Sequence, residues 1–144
     1  MTRNIIIYIF IYIFMIGCSS EGIFNQNDSI CEGTLEVNAP GLEMDGNGYY
    51  HIDFLQGYVQ TFSTLRTSVG YDGEKVGWIS NKEVLVGNTW TNCIDASSYS
   101  DTDGNAYGVL SVWEALVGDT ITVYVGYTND CSEDFTNSIL IIVD

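Results

Sequence analysis

Thr120-Ile-Thr-Val-Tyr-Val-Gly-Tyr-Thr128 is the stretch on which the fold is read. Ile121, Val123 and Val125 alternate with Thr122 and Tyr124, a period of two that sends apolar side chains to one face of a strand and polar ones to the other. Working outward, 138–143 reads as the last strand, and 139–143 is apolar on both faces, as a central or covered strand would be. In the other direction, residues 106–113, 89–94, 83–86, 75–80, 58–69, 49–55 and 33–38 read as further short strands. Asp72-Gly73 and Asp103-Gly104 have the composition of hairpin turns, while Asp45-Gly46-Asn47-Gly48 and Gly118-Asp119 mark other breaks. Beyond the leader, no window of ten or more residues keeps a 3.6-residue period. Tyr, Thr, Val and Ile are frequent and Pro40 is the single proline. The spacing predicts an all-β domain, a sandwich or barrel of about seven to nine antiparallel strands.

The first seventeen residues are of another kind. Arg3 is their only charge, residues 5–16 are an unbroken apolar run, and Gly17 precedes Cys18. A basic start, a short apolar core and a small residue at the cut are the parts of a secretory signal. The run is also shorter than the ~20 residues that span a bilayer. Met15-Ile16-Gly17-Cys18 resembles the lipobox of bacterial lipoproteins, with Met15 where that motif usually carries leucine. The resemblance implies cleavage before Cys18 and acylation of its sulfur. Residues 1–17 are then the signal peptide, 18–30 a lipidated cysteine with a polar, flexible tether, and 31–144 the folded domain. Two or three acyl chains hold a protein durably, so the expected partner at this end is the lipid bilayer. By analogy with lipoprotein sorting in two-membrane bacteria, Ser19 stands where an aspartate would retain the protein at the inner membrane. The implied address is the outer membrane or cell surface.

Charge excludes one class of partner. The chain carries 19 acidic residues against four Lys and Arg, a formal net charge of −15, and losing Arg3 with the leader makes the mature protein more negative still. Arg66, Lys75 and Lys82 stand apart, with no basic cluster to meet a phosphate backbone, so no nucleic acid is expected as a partner.

Two further stretches carry a family likeness. Ser100-Asp-Thr-Asp-Gly-Asn-Ala-Tyr-Gly-Val-Leu-Ser-Val112 and Gly118-Asp-Thr-Ile-Thr-Val-Tyr124 resemble a hairpin and its following strand in bacterial immunoglobulin-like (Big-type) domains of adhesins and surface lipoproteins. Lys75-Val-Gly-Trp-Ile-Ser80 is similar to their third strand, with Trp78 as the core tryptophan. The resemblance implies a single immunoglobulin-like β-sandwich serving protein binding, adhesion or assembly without catalysis. The inter-sheet disulfide of antibody domains is missing, because neither 58–69 nor 120–128 holds a cysteine. Cys31, Cys93 and Cys131 remain after Cys18, an odd number in a compartment where disulfides persist. The implied topology brings the region before the first strand and the turn between the last two to one end. A Cys31–Cys131 bridge follows, with Cys93 as a buried free thiol; Cys93–Cys131 is the rival pairing.

Chemistry-bearing clusters are few. His51 is the only histidine, set between Tyr50 and Ile52 in a predicted strand, and reads as structural. Asp101, Asp103 and Asn105 resemble part of a calcium loop. Its first ligand position would fall on Tyr99 and its twelfth on Leu110, so the stretch reads as a turn instead. Asp130, Glu133 and Asp134 are spaced less well still. No nucleophile, metal or cofactor motif is present, so no enzyme activity is expected, and Ca2+ is the one ion the acidic loops would take. Trp90 and Tyr99, beside polar turn residues, are the candidate binding aromatics. They suit a protein partner or, as the alternative reading, the sugar rings bound by a carbohydrate-binding accessory module.

Overall fold

The computed structural model describes residues 33–92 and 94–144; Cys18, Cys31, Cys93, the leader and the tether lie outside the described residues. The unit Cys31–Asp144 is compact by itself. Its strands are β1 (Glu36–Asn38), β2 (Glu43–Met44), β3 (Tyr49–Ile52), β4 (Gln60–Ser68), β5 (Lys75–Ser80), β6 (Leu85–Val86), β7 (Thr89–Trp90), β8 (Ala96–Tyr99), β9 (Asn105–Trp113), β10 (Thr120–Thr128) and β11 (Asp134–Val143). A 3₁₀ turn, Glu114–Leu116, carries the chain from β9 to β10.

These strands form two sheets, β1-β4-β9-β6-β7 and β2-β3-β11-β10-β5-β8. Every pair is antiparallel except β3 with β11. The order β1-β4-β9-β6 facing β11-β10-β5 is that of the immunoglobulin sandwich, with β8 added beyond the third strand. Eleven strands among the described residues exceed the expected seven to nine because β2, β6 and β7 are two-residue pieces.

Burial follows the period-two reading. Ile121, Val123, Val125 and Tyr127 of β10 point into the core, as do Ile139, Ile141 and Val143 of β11. β11 lies between β3 and β10, which explains why its outer residues Leu140 and Ile142 are also half-covered. Trp78 is 1% exposed, and its indole Nε1–H donates to Ser98 Oγ at 2.9 Å. The ring lies against Gly108 of the opposite sheet, where a Cβ would come within 3.5 Å of it. A Cβ at 108 would meet the ring at ordinary contact distance but would fall 2.7 Å from Val86 of the same sheet, so the bare backbone there makes room for the Val86 side chain.

Both Asp-Gly dipeptides read as hairpins prove to be crossings. Residues 69–74 carry β4 of one sheet to β5 of the other, and 100–104 carry β8 back to β9. They bond to each other: Val69 N–H donates to Gly104 O at 2.9 Å, Gly73 N–H to Ser100 O at 3.0 Å and Glu74 N–H to Ser100 Oγ at 2.8 Å. A dipeptide's turn preference is local, and it does not specify which sheet the next strand joins. β8 escaped the sequence reading because Ala-Ser-Ser-Tyr has weak strand propensity and is held by its partner β5.

One loop design recurs three times. Asp45, Asp101 and Asn129 each use a side-chain Oδ1 to accept the N–H groups two and four residues on. Each loop's fourth residue is left-handed: Gly48 (φ 86°), Gly104 (φ 74°) and Ser132 (φ 62°). Ser132 is the only non-glycine with positive φ among the described residues. The steric cost of a Cβ there exceeds the extra chain entropy of glycine, so Ser132→Gly is expected to stabilise the domain by about 0.5–1 kcal/mol. Urea denaturation of the two proteins checks this, and a loss of stability would contradict it.

Candidate binding face

Leu85 of β6, Trp90 of β7 and alternate residues of β4 and β9 point away from the core. They form one row across four strands: Phe62, Ser111, Leu85 and Trp90 are register partners in succession. Phe62 is 57% exposed. Ser111 points the same way and is buried, as a small residue among larger neighbours would be. The rows on either side add Trp113, opposite Gln60, and Val109, opposite Thr64; Tyr107 follows, opposite Arg66. Trp90 and Trp113 stack on one another, centroids 5.0 Å apart and planes 20° from parallel. Tyr107, Val109 and Trp90 all remain exposed. In this strongly acidic protein, β4, β9, β6 and β7 together carry one charge, Arg66.

Of the predicted binding aromatics, Trp90 belongs to this face. Tyr99, 66% exposed, sits on β8 opposite Lys75 on the outer side of the other sheet, so the structure does not bring the two together. Phe62, Tyr107, Val109 and Leu85 were missed, although the signal was present. β4 and β9 have apolar residues on both faces, and a strand of that kind on the outside of a two-layer fold leaves one set uncovered.

Asp101 and Asp103 lie in the loop that leads into β9. One Asp101 oxygen is engaged by the N–H groups of Asp103 and Asn105 at 3.0 Å each, the turn chemistry described above. In the second acidic loop, Glu133 accepts from the Asn129 amide and Asp134 from the Thr128 hydroxyl. No group of three His, Cys, Asp or Glu side chains suited to a metal occurs among the described residues. Cys131 is disulfide-bonded, and both of its expected partners, Cys31 and Cys93, lie outside the described residues. No helix among the described residues is long and apolar enough to cross a membrane.

His51 is held between two carboxylates, its Nδ1 2.6 Å from Asp144 Oδ2 and its Nε2 3.6 Å from Asp45 Oδ2. The Asp144 hydrogen bond is the main reason its pKa lies above the ordinary 6.5. Asp45 is held below its ordinary 3.8, chiefly by the Tyr49 N–H. The signs are opposite. The His51 contribution to stability is complete below pH 6.5 and is lost as pH rises through the elevated value; that of Asp45 is present above 3.8 and is lost as pH falls through the lowered one. An NMR titration should place the His51 midpoint above 6.5, and Asp144→Asn should move it down; a midpoint unmoved by that change contradicts the pairing.

No protein-family model matches the chain, and no curated protein matches it. Among solved structures it is similar to a family 123 glycoside hydrolase from Clostridium perfringens, at 7% identity and a TM-score of 0.40; the match covers 78% of this chain and 27% of that one, so the chain spans little more than a quarter of that enzyme's length.

Proposed function

We propose that this chain is a lipid-anchored, non-catalytic surface protein, held in the outer membrane through acylated Cys18, whose immunoglobulin-like domain binds a protein partner on the outer face of the β1-β4-β9-β6-β7 sheet. The observation that carries the reading is the exposed aromatic face around Phe62, Val109, Trp90 and Trp113, whose strands β4, β9, β6 and β7 carry no acid and one base, Arg66, on a chain of net charge −15. Uniform negative charge keeps copies of such a protein apart, and an apolar area without acids is where close contact costs least desolvation. The partner chemistry that fits is an apolar centre with a basic rim. The rim speeds encounter with the acidic domain, and burial of the aromatic anchors supplies affinity. His51, tied to two carboxylates and not to a nucleophile, supports a non-catalytic role.

Two measurements test this. Metabolic labelling with an alkyne fatty acid should mark the wild-type protein and leave Cys18→Ala unmarked and uncleaved; cleavage at the same bond in Cys18→Ala would contradict the anchor. Phe62→Asp, at an exposed position, should weaken partner capture at least about a hundred-fold while the fold is retained. Undiminished capture would contradict the face. The alternative carbohydrate reading draws on a different surface, the outer side of the second sheet.

A further inference from the structure

On the outer side of the second sheet, Gly126 of β10 pairs directly with Gly77 of β5. Their backbones and Thr136 form the floor of a trough of about 550 Å³, within the ~300–1,000 Å³ range of small-molecule sites. One register row away stand Tyr124 and Ile79, both exposed, which make an apolar wall. On the opposite side, Lys75 and Asp134 make a polar wall, with Asp134 Oδ1 accepting the Thr128 hydroxyl at 2.7 Å. Asp95 closes the β8 side, and its Oδ2 lies 4.0 Å from where a Gly77 Cβ would be. Four residues separate the two walls along β10, roughly 13 Å.

Gly126 is held to glycine by its neighbour strand, since a Cβ there would fall 3.2 Å from the Phe135 carbonyl oxygen, but Gly77 is not required by the fold. Neither has a left-handed backbone, and a Cβ on Gly77 would meet nothing nearer than Gly126 O at 3.7 Å. Glycine inside a strand lowers stability by about 0.5–1 kcal/mol relative to alanine and commonly marks a place where a ligand approaches the backbone.

We infer that this trough is a binding site for a short neutral saccharide. A sugar ring presents a C–H face to Tyr124 and Ile79 and hydroxyls to Asp95, Asp134 and Lys75. A wholly apolar ligand would leave those three charged groups desolvated and unpaired. Two carboxylates against one ammonium in an acidic protein disfavour anionic sugars. An extended peptide lacks the open sheet edge it needs, because β10 and β5 are bonded on both sides. The site is separate from the aromatic face of the first sheet, so each reading fails or stands by itself.

The test uses the full-length protein in detergent on an array of neutral, sialylated and phosphorylated oligosaccharides, with a random-peptide array alongside. Retention of neutral saccharides is expected, with about a ten-fold or greater loss in Tyr124→Ala, loss in Gly77→Val, and no change in Phe62→Asp. Tyr124 is exposed, so its removal leaves the core intact should Gly77→Val prove unstable. No saccharide retained, retention of acidic saccharides or peptides only, or binding indifferent to Tyr124→Ala would each overturn the inference.

Discussion

Replacing Trp78 with alanine is expected to destabilise the domain by about 3–5 kcal/mol, a large share of the ~5–15 kcal/mol that holds a domain of this size together. The indole is the largest fully buried side chain, it packs on the bare backbone of Gly108 across the interlayer space, and its removal leaves a cavity and an unpartnered Ser98 hydroxyl. Trp78→Phe separates the two contributions, since it keeps most of the packing and loses the hydrogen bond, at a cost of about 1–2 kcal/mol. Urea unfolding followed by circular dichroism measures both. A Trp78→Ala protein within about 1 kcal/mol of wild type would contradict the packing described.

The second large effect is expected at the disulfide. Cys131 is bonded, and Cys31 is its expected partner. The assignment rests on described neighbours. Gly33 lies against the Phe135 ring and the Tyr127 hydroxyl, so that a Cβ there would fall 2.3 Å from Phe135. Leu35 O accepts the Asn137 side-chain amide at 2.9 Å, and Thr34 O accepts the Tyr127 hydroxyl at 3.4 Å. The chain just after Cys31 thus runs beside the start of β11, close to the loop that carries Cys131. The residues flanking Cys93 lie at the other end of the sandwich: Ile94 bonds to Trp90 and Thr91 to Ser80, whereas Thr128, at the Cys131 end, continues the β10 register towards Lys75. A disulfide needs Cα atoms about 4.4–6.8 Å apart, and it is the described neighbours of Cys31 that run beside the Cys131 loop. Closing a loop of roughly a hundred residues is worth about 4–5 kcal/mol in the chain-entropy description. Cys131→Ser should lose about that much by the same urea assay. Non-reducing peptide mapping should show Cys31 linked to Cys131; a Cys93–Cys131 peptide would contradict the assignment.

What the sequence disclosed was what local pattern governs. The alternation in 120–128 and 75–80 reproduces β10 and β5 to the residue, and Trp78 takes the buried position expected of it. Sheet membership was not legible at Asp72-Gly73 and Asp103-Gly104. The same turn chemistry serves a hairpin or a crossing, and docking of one crossing on the other decides it. The binding surfaces were half legible. Trp90 stood out beside polar neighbours, while Phe62 and Val109 were not singled out, because alternation alone does not say which of two apolar faces is covered. The trough was invisible in one dimension, since it depends on Gly77 and Gly126, 49 positions apart in sequence (126 − 77), meeting as register partners.

We propose that the uncovered aromatic face is the contact surface of this protein. Position-specific photo-crosslinking in living cells tests it most directly, with a benzophenone side chain placed in turn at Phe62, Val109 and Thr122. Phe62 and Val109 lie on the proposed face; Thr122 points outward from the opposite sheet. The account predicts one discrete protein adduct from Phe62 and from Val109, abolished by Trp90→Asp, and none from Thr122. An adduct from Thr122 alone, or adducts at Phe62 that survive Trp90→Asp, would contradict it.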